Sequence, residues 1–140
     1  TRAWCYPLAM GAGTVVVRFV RDDDVSLIPD AGEVAAVQAY IDLRRPVTAA
    51  VTVVAPISTP LDLTIAGLSP SSAAVKAAVA AELDDLLRRE SEPGGTILLS
   101  HLREAISIAA GEVDHALTTP SADVTHTAGQ LAVLGTITWA

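Results

Sequence analysis

Aromatic residues are scarce in this chain: Phe, Trp and Tyr together make up 4% of its 140 residues. With hydrophobic residues at 51%, a core has to be built mainly from Ala, Val, Leu and Ile. Cysteine occurs once, as Cys5, which excludes an internal disulfide and says nothing about redox compartment. Positive charge is thin, nine Lys and Arg against sixteen Asp and Glu, and Lys76 is the single lysine. The net charge of -7 and pI near 4.7 argue against nucleic acid as a partner, because phosphate binding needs clustered positive charge. No apolar run approaches the roughly 20 residues that cross a bilayer, so no membrane partner is expected either.

What is present is a series of short periodic segments. Val15, Val17 and Phe19 alternate with Thr14, Val16 and Arg18, which predicts a strand over 13–20. Gly11 and Gly13 read as a flexible entry to it. Asp30 with Glu33 three residues on is a capping box, opening a helix with Val34, Val37 and Ile41 on one face and ended by Pro46. Ala49, Val51 and Val53 alternate in a second strand. If the two strands lie side by side and parallel, their crossover is right-handed. Pro56-Ile57-Ser58-Thr59-Pro60 resists helix and central strand alike and is the expected boundary between two units.

Beyond it, Leu61, Leu63 and Ile65 alternate with Asp62, Thr64 and Ala66 in a third strand. Ser69 and Pro70 read as the cap and first residue of a helix carrying Val75, Val79, Leu83 and Leu86 on one stripe. Asp84 with Arg88 and Asp85 with Arg89 are i,i+4 pairs worth about 0.2–0.5 kcal/mol each. The doublets Arg44-Arg45 and Arg88-Arg89 sit near helix ends, where cations complement the helix dipole. After the Pro93-Gly94-Gly95 turn, a helix over 101–110 is expected, capped by Ser100 and stopped by Gly111, with Leu102, Ala105, Ile106 and Ala109 inward. A strand near 112–118 follows. In a last strand Leu131, Val133, Gly135, Ile137 and Trp139 share one face. The expected class is α+β, with two small two-layer α/β sandwich units, ferredoxin-like in element order. Residues 1–56 form a βαβ unit truncated at its N-terminal side, and residues 57–140 a βααββ unit. Strand-like sequence from almost the first residue, with no methionine, makes the chain read as a piece of a longer protein.

The chemistry-bearing residues do not assemble into a catalytic set. His101, His115 and His126 lie fourteen and eleven residues apart, without ligand partners at metal-site spacing. Ser100-His101 has no nucleophile elbow around it, and neighbours at a helix start point in different directions. Asp22-Asp23-Asp24 is consecutive, whereas calcium loops alternate their ligands. No metal, cofactor or catalytic residue is therefore expected. The residues that remain as candidates are for an interface: Trp4 and Trp139 near opposite ends of the chain, and the acidic run Asp22, Asp23 and Asp24, which reads first as a solvated loop and second as a contact for a basic partner. Trp139 also reads more simply as the end of the apolar face of its strand.

Several segments, in order, carry a family resemblance. They are Gly13-Thr14-Val15-Val16-Val17-Arg18-Phe19, Gln38-Ala39-Tyr40-Ile41-Asp42 with Arg45-Pro46, and Val53-Val54-Ala55-Pro56. The stretch from Pro93 to Ile106, Ala110-Gly111-Glu112 and Leu134-Gly135-Thr136-Ile137-Thr138-Trp139 complete the series. Together they resemble the C-terminal portion of the baseplate J-like proteins of Mu-type contractile-tailed phages. The resemblance implies a structural, non-enzymatic component of a baseplate wedge, in a phage tail, a tailocin or an injection system. It implies other wedge subunits, copies of itself, and hub and sheath neighbours as partners. It also implies assembly in the host bacterial cytoplasm and a final place in the virion. The reading from another class is a small ferredoxin-like ligand-binding regulatory module, suggested by element order alone.

Overall fold

The computed structural model describes residues 1–140, and backbone contacts divide them into two units, Thr1–Ile57 and Ser58–Ala140. The class is α+β, with three helices and small sheets of two or three strands.

The first unit contains β1 (Arg2–Pro7), β2 (Thr14–Val20), α1 (Ala31–Asp42) and β3 (Ala50–Val53). Its sheet has the order β1-β2-β3, with β1 antiparallel and β3 parallel to the central strand. β1 was not among the strands assigned from sequence, although the chain reads as strand-like from almost its first residue. Gly11 and Gly13, at φ 110 and 78, turn the chain through a hairpin closed by the Leu8 amide donating to the Thr14 carbonyl at 2.8 Å. Arg2, Trp4 and Tyr6 share the half-buried face of β1 and Ala3 and Cys5 its exposed one, so the usual order of apolar residues inward and polar residues outward is missing from the sequence.

The capping box of α1 forms as expected. The Glu33 amide donates to the Asp30 carboxylate at 2.8 Å, and the Glu33 carboxylate accepts from the Asp30 amide at 2.9 Å. Val34, Val37 and Ile41 make the half-buried face, while Val16, Phe19, Val20 and Val53 form the small core. Gln38 of α1 closes the outer edge of β3. Its amide nitrogen donates to the Val51 carbonyl at 3.0 Å, and its oxygen accepts from the Val53 amide at 2.7 Å. The side chain thus stands in for a residue of a missing strand. Gln38→Ala leaves both backbone groups without these partners, and an expected loss of about 1–3 kcal/mol should lower the urea midpoint at unchanged slope.

The second unit contains β4 (Ile57–Ser69), α2 (Ala73–Glu90), β5 (Thr96–Ile97), α3 (Leu99–Ser107), β6 (Asp114–Thr119), β7 (Val124–Thr125) and β8 (Gln130–Trp139). One sheet runs β6-β4-β8, and β5 and β7 make a two-stranded antiparallel ribbon. Leu61, Leu63 and Ile65 of β4 meet the stripe Val75, Val79, Leu83 and Leu86 of α2, together with Leu102, Ala105 and Ile106 of α3, in one continuous core. The pairs Arg88–Asp84 at 2.8 Å and Arg89–Asp85 at 2.7 Å form along α2.

Four local expectations are corrected here. β4 begins at Ile57 and runs through Pro60, which the sheet tolerates because pairing with β6 begins only at Thr64. Ser69 and Pro70 do not open α2. Ser69 pairs with Asp114 in the sheet and its carbonyl accepts from the Val113 amide at 2.8 Å, so the cap passes to Ser72, which accepts from the Val75 amide at 3.2 Å. Ser100 does not cap α3, which starts at Leu99. The Asp123 carboxylate takes the Leu99 amide at 2.8 Å from 24 residues away and brings negative charge to the positive end of the helix dipole.

The fourth concerns β8. Ala132, Leu134, Ile137 and Trp139 face or pack on the core, in place of the single alternation from Leu131 to Trp139. The three-residue step from Leu134 to Ile137 marks an extra residue at Gly135-Thr136, a β-bulge. The amide of Thr136, freed by the bulge, donates to the Asp62 carboxylate at 2.7 Å.

Candidate functional site

The residues singled out from sequence fall in both units. In the first, Arg2 brings two of them together. Its guanidinium lies 5.3 Å from the centroid of the Trp4 ring, and its Nη2 is 2.9 Å from Asp22 Oδ1. Arg2 beside Asp22 holds that carboxyl below its ordinary value of 3.8. Asp24 pairs with Arg21, which also bridges to Glu33 of α1. Two of the three aspartates therefore tie the loop to β1 and α1. Asp23 is the most exposed of the three, at 98% of its side chain, with the Thr1 ammonium 3.8 Å from its Oδ2.

Trp4 is half-buried and sits opposite Arg18 across the β1–β2 pair. The hydrogen bond from Leu8 to Thr14 sets the alternation of that ladder, so the backbone groups of Ala3 and Cys5 point away from β2. The two edges of this sheet thus differ. β3 is closed by Gln38, and β1 is the other edge strand of the sheet.

Trp139 belongs to the second unit. It packs against the hydrophobic core there, with the Lys76 ammonium 5.5 Å from its ring centroid. Its surface is therefore largely engaged within the unit.

The three histidines do not converge. His101 Nδ1 is 2.7 Å from Glu90 Oε2, His115 Nδ1 is 2.9 Å from Glu112 Oε1, and His126 Nδ1 is 3.3 Å from the Gly95 carbonyl. The His115–Glu112 pair is enclosed, at 10% and 6% exposure, while His101 lines an open cleft of about 250 Å³ between α2 and α3. Leu86, Ala105 and Ile108 make the apolar part of that cleft, and Arg89, Glu90 and Glu104 the charged part.

Glu90 raises the His101 pKa above its ordinary 6.5 by accepting its hydrogen bond and by its charge. A raised folded-state value means the stabilisation is complete below the unfolded value and is lost as pH rises through the folded one. Wild type should therefore lose more Tm than Glu90→Gln on going from mildly acidic to mildly alkaline buffer. Equal losses in the two proteins would show that the pair is not formed in solution.

The sequence reading passed over Gln38, Asp62 and Asp123. Each bonds backbone far along the chain, 13 and 15 residues away for Gln38, 74 for Asp62 and 24 for Asp123, so no local pattern could mark them.

Comparison with known proteins adds a second line. The model of the baseplate J-like protein C-terminal domain matches residues 61–140, and that of the baseplate J-like central domain matches residues 1–55. The chain is 36% identical over 140 residues to the putative protein JayE of Escherichia coli, covering 99% of this chain and 53% of that protein. It is 32% identical over 149 residues to the Mu-like prophage FluMu protein gp47 of Haemophilus influenzae. To the baseplate protein gp47 of Escherichia phage Mu it is 31% identical over 149 residues. The last two alignments each cover 99% of this chain and 41% of the relative. The chain thus spans about half the length, or less, of the curated relatives it matches.

Proposed function

The chain belongs to the Mu-type baseplate J-like family, and we propose that it is a structural part of a contractile-tail baseplate wedge, acting through protein–protein contacts in assembly and not by catalysis. The observation that carries the reading is the identity of 31% with the baseplate protein of phage Mu across 99% of this chain. The partners fitting this role are other wedge subunits, copies of the same chain, and hub and sheath neighbours. Its place is the tail of the virion, after assembly in the host cytoplasm; no helix of the chain is long and apolar enough to cross a membrane.

Residues 1–56 and 57–140 serve as two modules in this role. Of the residues proposed for contact, Asp23 and Trp4 on the β1 side of the first module are the better placed. Asp22 and Asp24 spend their charge on Arg2 and Arg21, and Trp139 packs on a core. Each of the three histidines has its hydrogen-bond partner within the second unit, and the three do not share one.

Immunogold labelling of tail particles from the source cells tests this. Label gathered at the baseplate end is the expected result. Bare tails, both intact and disrupted, would overturn it.

A further inference from the structure

The cleft between α2 and α3 is built from two facing stripes. Leu86 and Glu90 are i,i+4 neighbours on α2, and His101, Glu104 and, at the C-cap, Ile108 follow one another at i,i+3 and i,i+4 spacing along α3. Leu86 and Ala105 are buried and form its apolar floor. Ile108, at its mouth, is 58% exposed although it is a large apolar side chain. At about 250 Å³ the space lies below the roughly 300–1,000 Å³ of sites that take drug-sized ligands, and it fits one long side chain.

Its charge is of one sign. Arg89 is paired with Asp85 at 2.7 Å, and Arg103 of α3 does not line the cleft. Glu90 holds His101 at 2.7 Å, whereas Glu104 makes no ion pair. Asp123, on the segment before β7, is a third carboxylate whose charge reaches His101. Glu90 is also the last residue of α2, where the helix dipole places partial negative charge. Three carboxylates against one histidine leave the cleft negative whether His101 is protonated or neutral.

We propose that this cleft seats one arginine side chain of a partner protein, its aliphatic stem on Leu86, Ala105 and Ile108 and its guanidinium between Glu104 and Glu90. Arginine fits better than lysine, because its fork of five donors reaches two carboxylates at once and its cation is the more weakly hydrated. An apolar occupant would cover the carboxylates without a counter-charge, and an anionic one would be repelled. Protonated His101 holds Glu90 and repels the guanidinium. The arginine therefore binds more tightly as pH rises through the His101 pKa, which Glu90, Glu104 and Asp123 raise. By linkage the bound arginine lowers that pKa. That the partner belongs to a baseplate rests on the role proposed above; the chemistry of the occupant rests on the cleft alone.

NMR titration of the whole chain with N-acetyl-arginine methylamide is the test. The probe should bind with a dissociation constant on the order of 1 mM, as its small size allows. It should shift the amides of His101, Glu104 and Ile108 and lower the His101 pKa read from the ring protons. N-acetyl-citrulline methylamide, of the same shape without the charge, should bind more weakly by about threefold or more. Glu104→Gln, at an exposed position, should weaken the arginine probe about two- to fivefold with an unchanged circular dichroism spectrum. Bare tails under immunogold with a filled cleft would strike the baseplate role and leave the arginine site standing. No binding up to the solubility limit of the probe, equal affinity for the citrulline probe, an unweakened Glu104→Gln or an unmoved His101 pKa at saturation would each overturn the proposal.

Discussion

Truncating Leu83 to alanine should cost the second unit about 2–5 kcal/mol, one of the largest losses available to a single substitution in this chain. Leu83 has 0% exposure and lies mid-way along α2 in the core shared with β4 and α3. Alanine is the better helix former, so the loss comes wholly from transfer and from the cavity left behind. The cavity should collapse poorly. The buried partners here are Leu, Ile, Val and Ala, held by a sheet on one side and a second helix on the other. Set against a typical total stability of about 5–15 kcal/mol, the change brings the unit close to unfolding. Leu43→Ala, at an exposed position, should move the same midpoint by no more than about 0.5 kcal/mol. Urea denaturation followed by Trp139 fluorescence in a Trp4→Phe background reads the second unit alone, because Trp139 packs on this core. An unchanged midpoint for Leu83→Ala would show that Leu83 is not enclosed as described.

The part of the fold that was legible in sequence is the part encoded within one turn or one strand. Asp30 and Glu33 make their capping box with no help from elsewhere. The stripe Val75, Val79, Leu83 and Leu86 and the alternation Leu61, Leu63 and Ile65 each face a single core, so their period survives in the sequence. What failed was decided by distant residues. Ser69 and Ser72 have the same capping chemistry, and only the pairing of Ser69 with Asp114 tells which one is free to cap. Ser100 had the right residue type, but the amide at the start of α3 is taken by Asp123. β1 has only a half-buried face, and Arg2 stands on it beside Trp4 and Tyr6, so the apolar-inward pattern is missing. Among the candidate interface residues, the sequence could mark an aspartate run but not its division of labour, because Arg2 and Arg21 hold Asp22 and Asp24 while Asp23 stays almost fully exposed beside the Thr1 ammonium. The order of motifs along the chain was a different kind of signal, carrying the family without fixing any one contact.

Gly135→Ala is the second large effect, and its origin is steric. A Cβ built at Gly135 would lie 2.3 Å from Asp62 Oδ1 and 2.9 Å from both the carbonyl carbon and oxygen of Leu61. The aspartate could swing aside, but only by releasing the Thr136 amide that it holds at 2.7 Å. The Leu61 backbone has no such freedom, since β4 is the central strand of its sheet and Leu61 and Leu63 are in the core. Either β8 lifts away from β4 or the bulge closes, and closing it would shift Ile137 and Trp139 to the opposite face. Overpacking of this kind typically costs about 1–3 kcal/mol. Asp62→Ala separates the two contributions. It removes the nearest clash and also the bond to Thr136, but leaves the contact with Leu61, so the double variant should cost less than the sum of the singles. Full additivity would mean that Asp62 and Gly135 do not meet. A wild-type midpoint for Gly135→Ala would mean that β8 can leave β4 at the bulge without penalty, and that the phase of its last residues is held by the packing of Trp139 alone.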